Sequence, residues 1–108
     1  ASLDFADATL HATKRFPRES RFLADQLNRA AVSIAANIAE ENGRSTRRDR
    51  ARFFVIARGS MLECLPLLEP ARRHSLVTQE RHGDLIQQLD EISRMLAGLS
   101  RSQYPRDT

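Results

Sequence analysis

One cysteine, one tyrosine, one lysine and no tryptophan occur among 108 residues, with four glycines and four prolines. Each scarcity removes a class of protein. A lone Cys64 excludes an intrachain disulfide and fits a reducing, cytoplasmic setting. Lying in an apolar stretch without a neighbouring histidine, Cys64 reads as a core thiol and not a nucleophile. His11, His74 and His82 have no i,i+4 partner and no cysteine at metal-ligand spacing, so no metal is expected. No apolar run approaches the roughly 20 residues that cross a bilayer, so no membrane association is expected. The opening ASLDFADATLH shows neither the basic nor the apolar region of a signal peptide. With a single tyrosine, Tyr104, the chain lacks the stacked aromatics that read single-stranded nucleic acid. There is no glycine-rich phosphate loop, no strand alternation, no Ser-His-Asp arrangement and no nuclease-type carboxylate cluster. Catalytic residues and cofactors are therefore assigned to none, and an enzyme is not expected.

What is present is the composition of one soluble domain: 41% hydrophobic and 29% charged residues. At this length about two-thirds of the unfolded surface can be buried, so the core is thin. The net charge is only +3, and the predicted pI of about 10.0 overstates it. Of the 17 basic residues all but Lys14 are arginine. Arginine pairs bidentately with phosphates and carboxylates alike, so this bias names no partner by itself.

Apolar spacing of three and four residues predicts four helices and an all-α, antiparallel up-down-up-down four-helix bundle. Residues 3–16 carry Leu3, Ala6 and Leu10 beside Phe5, Ala8, Ala12 and Phe16, and Pro17 stops the run. Residues 19–42 place Leu23, Leu27, Ala30, Ala31, Ile34 and Ile38 on one seam, and Asn42-Gly43 suggests a left-handed C-cap. Residues 46–74 open with Thr46 and Asp49 in capping-box spacing. Phe54, Ala57, Met61, Leu65 and Leu68 form the expected core stripe. Pro66 and Pro70 predict a kink or a weakened last turn after Leu65. Residues 78–101 begin at a Thr78 cap and carry the cleanest seam, Leu85, Leu89, Ile92, Leu96 and Leu99. The bundle domain spans 1–102, and residues from Ser102 onward, the 103–108 tail above all, read as frayed.

Three surfaces are candidates for function. In GRSTRRDRARFF, residues 43–54, five arginines face a single acid, Asp49. Positive charge at the start of a helix opposes its dipole, so anions should lie near. Arg47, Arg50 and Arg58 share the side of Phe54 and Met61 and read as interface or interhelix groups, with Asp49, Glu40, Glu41 or Glu63 as partners. Arg48 and Arg52 point outward and, with Arg44 at the turn, are the candidates for phosphate binding to RNA or DNA. Gln26, Arg29, Ser33, Asn37 and Glu40 form a polar line down the second helix; hydrogen bonding between helices or subunits is the favoured reading, a site using Glu40 as base the other. The apolar arc of the third helix exceeds the ~100° of a surface helix. Phe53, Ile56 and Leu67 are therefore expected at an interface between copies of the chain.

The segment Gln26–Leu65 resembles small bacterial four-helix bundle proteins encoded in intervening sequences of 23S rRNA genes, the S23-type family. It carries Gln26, Arg29, Ala30, Ala31, Ser33, Ile34, Asn37, Ile38, Ala39 and Glu40. Gly43, Arg44 and Ser45 follow, then Arg52, Phe53, Ala57, Gly59, Ser60 and Glu63. Phe16-Pro17 and Arg94–Leu99 also fit. Ala35 stands where a proline is common and Glu41 where a glycine is, which implies a straighter second helix. The resemblance implies a homopentamer with no established enzymatic activity, and the wide apolar arc of the third helix suggests a scaffold or a module that docks a protein partner. Related bundles that accompany diversity-generating retroelements bind nucleic acid and a reverse transcriptase, so RNA or DNA binding is implied by analogy alone.

Overall fold

A computed structural model describes residues 1–104. The described residues form four α-helices: α1 (Ser2–Thr13), α2 (Arg21–Gly43), α3 (Arg47–Arg73) and α4 (Gln79–Gln103), with a 3-10 turn at Arg18–Ser20 between the first two. Each packs on its neighbours in chain order and α4 closes back on α1, the ring expected of an up-down-up-down bundle. The α2–α3 hairpin is the most extensively packed pair. The bundle measures 46 × 21 × 19 Å.

The core is the set of seams read from spacing. Leu27, Ala30, Ala31, Ile34 and Ile38 of α2, Phe54, Ala57, Met61 and Leu68 of α3, and Leu85, Leu89, Ile92 and Leu96 of α4 are buried. From α1 come Phe5, Ala6 and Ala12, and Phe16 is buried just beyond it. Two of the expected α1 positions, Leu3 and Leu10, are instead exposed. Their places on the inner face go to Thr9 and Thr13, and Thr13 donates from its hydroxyl to Asn28 Oδ1 at 2.9 Å. Leu65 is also displaced outward, while Ser60 and Cys64 are buried in its stead. A helix this apolar can rotate by part of a turn and still bury a continuous stripe, so spacing alone mis-sets its orientation.

Caps and stops divide into those found and those replaced. Thr46 accepts from the backbone N–H of Asp49 at 3.2 Å and Thr78 from that of Arg81 at 3.0 Å, each silencing an orphan donor of a first turn. Gly43 does not cap α2 in a left-handed conformation. It is the last helical residue, no glycine has positive φ, and Arg44 turns the chain out in an extended conformation. The left-handed residue is Ser75, at φ 55°. Ser75 N–H donates to Arg72 O at 3.1 Å and Leu76 N–H to Ala71 O at 2.9 Å, the paired closing bonds of a Schellman motif.

Neither proline ends α3, which stays helical to Arg73. The two lie four residues apart, so the carbonyls they strip of a donor, on Leu62 and Pro66, share one face. Leu62 and Pro66 are exposed, so water can take over. Helix α3 therefore runs through both prolines without a break, and its last turn reaches Arg73.

The chain end corrects the expected fraying. Ser102 and Gln103 belong to α4, and Tyr104 is docked. Its ring lies 5.1 Å from that of Phe54 and its hydroxyl donates to Glu41 Oε1 at 2.7 Å. The remainder of the expected tail, 105–108, lies outside the described residues.

Candidate interaction surfaces

The arginine cluster separates into three environments. Topology places the start of α3 beside the ends of α2 and α4, where carbonyls without helical partners carry partial negative charge. Arg47 Nε donates to Gln103 O at 3.0 Å, so its charge is spent on the C-terminus of α4. Arg44, at the end of α2, donates to Glu40 Oε2 at 2.7 Å. Arg50 points inward, its Nε buried and without a hydrogen-bond partner. Nearby, Glu41 is only 3% exposed, with Tyr104 on one carboxylate oxygen and no protein partner on the other. Burial, followed by the Glu41 contact, pushes the Tyr104 phenol up to about 12, while Arg50 and Arg47 pull it down.

Arg48 and Arg52 face outward as expected. Arg44 and Arg52 each stack on the Phe53 ring, their guanidinium carbons 5.0 and 4.9 Å from its centroid. Phe53 is half-buried, with cations against its ring. Of the three phosphate candidates, Arg44 already holds a carboxylate. Arg48 and Arg52 have no carboxylate within 4.0 Å among the described residues.

The polar line on α2 lies along its groove with α3. Ser33 Oγ and Ser60 Oγ share a hydrogen bond at 2.7 Å, and Asn37 Nδ2 donates to Ser33 O at 2.8 Å and to Ser33 Oγ at 3.1 Å. Gln26, Arg29 and Glu63 line an open pocket of about 260 Å³ beside this pair. Arg29 and Glu63 are not ion-paired there. Arg58 belongs to a different groove, between α3 and α4. The nine expected polar groups therefore occupy separate places: Gln26, Arg29, Ser33, Asn37 and Glu63 at the α2–α3 groove, Glu40 at the α2 end, Arg47 and Arg50 against α4, and Arg58 on the far flank.

The apolar surface is larger than expected and centred differently. Ile56 is 44% exposed, whereas Phe53 and Leu67 are half-buried. Val55, Leu62 and Leu65 are 63%, 53% and 47% exposed, and Val32 of α2 is exposed too. Val55, Gly59, Leu62 and Pro66 run at spacings of four, three and four, which makes one outward stripe. That second seam was visible in the sequence, but the core stripe on the same helix masks it. The Ser33–Ser60 bond fixes the α2–α3 register and sets Val32 level with position 61, one residue from Leu62.

Cys64 is fully buried and its thiol donates to Ser60 O at 3.5 Å. Burial first, and the nearby Glu63 charge second, push it up to about 12, the opposite of an activated nucleophile. Among the described residues no group of three or more His, Cys, Asp or Glu side chains could hold a metal ion. No described helix is long and apolar enough to cross a membrane.

Comparison with curated proteins returns no match. Among solved structures, the fold is similar to a protein of unknown function from the S23 ribosomal protein family of Bacteroides thetaiotaomicron VPI-5482. The two share 26% identity and a TM-score of 0.85 over 94% of this chain and 92% of that one. Residues 1–98 match the 23S rRNA-intervening sequence protein family, and the chain belongs to that family.

Proposed function

We propose that this chain is a non-enzymatic subunit of a homo-oligomer, a scaffold on which a partner docks. The observation that carries the reading is the outer face of the α2–α3 hairpin. Val55, Ile56, Leu62 and Leu65 are exposed on the solvent side of α3, the longest helix, and Val32 is exposed on α2. Exposed apolar residues are normal when scattered, but a contiguous group marks an interaction surface. Gly59 lies inside it and flattens the stripe, which lets another backbone come close. Five copies is the number that the family resemblance implies. Sedimentation of the purified protein at micromolar concentration should give a mass of several chains. Val55→Glu with Leu62→Glu should yield monomers whose helical circular dichroism is unchanged. A wild-type monomer at that concentration would sink the reading.

The second reading, RNA or DNA phosphate binding, is supported by the stacking of both Arg44 and Arg52 on Phe53, with Arg48 one turn from Arg52. In a ring of subunits these corners repeat, and weak contacts to one strand add up. Filter binding across a salt series tests it, since phosphate contacts make affinity fall steeply as salt rises. Binding that survives Arg48→Glu with Arg52→Glu removes the site.

A further inference from the structure

We propose that the trough between α3 and α4 docks a short acidic amphipathic helix of a partner protein, with apolar anchors placed one turn from carboxylates. The proposal deepens the partner-docking half of the function above and rests on it. The trough holds about 380 Å³. It exists because Ser93, Ala97 and Ser100 of α4 are too short to fill the space opposite α3. Phe54, Met61 and Leu96 form its apolar floor, and Arg58 and Arg101 stand on its rim.

Charge decides what fits. No acid lines the trough. Arg44, Arg72, Arg73 and Arg94 each pair with an acid three or four residues earlier on their own helix. Arg58 and Arg101 have no such acid, since Phe54, Val55, Ala97 and Gly98 occupy those positions. Neither has a carboxylate within 4.0 Å among the described residues. Both guanidiniums are exposed, so the rim is positive and unneutralised.

Geometry favours a helix over a small molecule. The Arg47–Gln103 bond sets the antiparallel register and places Arg58 opposite about position 92, roughly 13 Å along the axis from Arg101. Helical side chains lean toward their own N-terminus, so on antiparallel helices these two lean toward each other over the floor. The floor is about two helical turns long and open along one side. Small-molecule sites enclose most of their ligand, whereas an open groove of this length takes one apolar face of a helix.

The test is a display selection of random helical 16-residue peptides on the full-length protein, followed by affinity measurement and sedimentation. Enriched peptides should carry Asp or Glu three or four residues from Leu, Ile or Phe. Arg58→Glu with Arg101→Glu should weaken the best peptide at least tenfold, and the double lysine variant should recover part of the loss, with circular dichroism and oligomer mass unchanged throughout. No enrichment, enrichment without acids, or equal binding by the charge-reversed variant would overturn the proposal. So would a change in oligomer mass on charge reversal, because the trough would then lie between copies of this chain. The mass of the wild-type protein reports on self-assembly separately, so the two readings can fail independently.

Discussion

Tyr104→Phe removes one oxygen and nothing else from the end of the bundle. The ring keeps its place beside Phe54, 5.1 Å between centroids, so apolar packing is nearly conserved. What is lost is the 2.7 Å hydrogen bond to Glu41. Hydrogen bonds to charged groups contribute about 1.5–3 kcal/mol, twice the neutral value. Glu41 is almost fully buried and its second oxygen has no protein partner, so the substitution leaves neither oxygen satisfied by the protein. A loss of about 2 kcal/mol is expected, equivalent to roughly 8–16 °C in melting temperature for a domain of this size. Urea unfolding followed by circular dichroism measures it, at one fixed protomer concentration because assembly would add to apparent stability. A double-mutant cycle isolates the bond: with Glu41→Leu already in place, Tyr104→Phe should cost almost nothing. Equal costs in the two backgrounds, within about 0.5 kcal/mol, would refute the claim that this bond fixes the chain end.

Further outcomes follow from the same structure. Tyr104 is the only tyrosine and tryptophan is absent, so absorbance at 295 nm titrates one group; its midpoint should fall near 12 in the native protein and near 10 in urea. Because the folded value is the higher one, the phenol's contribution to stability is intact below pH 10 and lost between about 10 and 12; a melting temperature with no decline beyond the Tyr104→Phe control across that window would contradict it. Cys64 should react with Ellman's reagent at pH 8 at least about 100-fold more slowly in the native state than in urea, given its burial. Ser75→Gly should raise stability by about 1 kcal/mol, since the residue is held at φ 55° where a Cβ is disfavoured; urea unfolding reads it directly. Gly59→Ala should stabilise the helix by about 0.5–1 kcal/mol because open space surrounds the added methyl, yet weaken self-association seen by sedimentation if the outer stripe is the contact.

The helices, their order and two of their caps were legible because they rest on local rules. Spacing of three and four sets a seam, and Thr46 and Thr78 each stand at an N-cap position. Orientation was less legible. On α1 and α3 the apolar residues cover more of the wheel than the core side needs, so Leu3, Leu10 and Leu65 compete for the interior with Thr9, Ser60 and Cys64. Which set wins depends on the facing helices: Asn28 draws Thr13 inward and Ser33 draws Ser60. The Tyr104 lock was illegible for a different reason. It joins positions 63 residues apart, and such a pairing has no local signature. The Schellman closure at Ser75 was missed because its sequence signal is a glycine, and here a serine takes the strained conformation.

Four arginines in the first turns of α3, with Arg44 just before them, present an electrostatic problem, and bundle topology dissolves part of it. In an up-down-up-down arrangement the N-terminus of α3 shares one end of the molecule with the C-termini of α2 and α4. Helix C-termini favour cations by a few tenths to ~1 kcal/mol each. Arg47 reaches the last carbonyls of α4, and Arg44 sits at the end of α2 with Glu40 for a partner. Arg44 and Arg47 therefore have anionic partners within the protein. What topology leaves over is the inward Arg50, whose Nε has no hydrogen-bond partner, and Arg48 and Arg52, both on the same outward stripe as Val55 and Leu62. Those two arginines and those two apolar residues occupy a single continuous strip of α3. If copies of the chain meet along the apolar part of it, the same contact orders the arginines into a repeating array at its edge. Self-association would then be the step that creates the nucleic-acid surface, and the Val55→Glu, Leu62→Glu monomer should lose salt-sensitive binding although every arginine is still present.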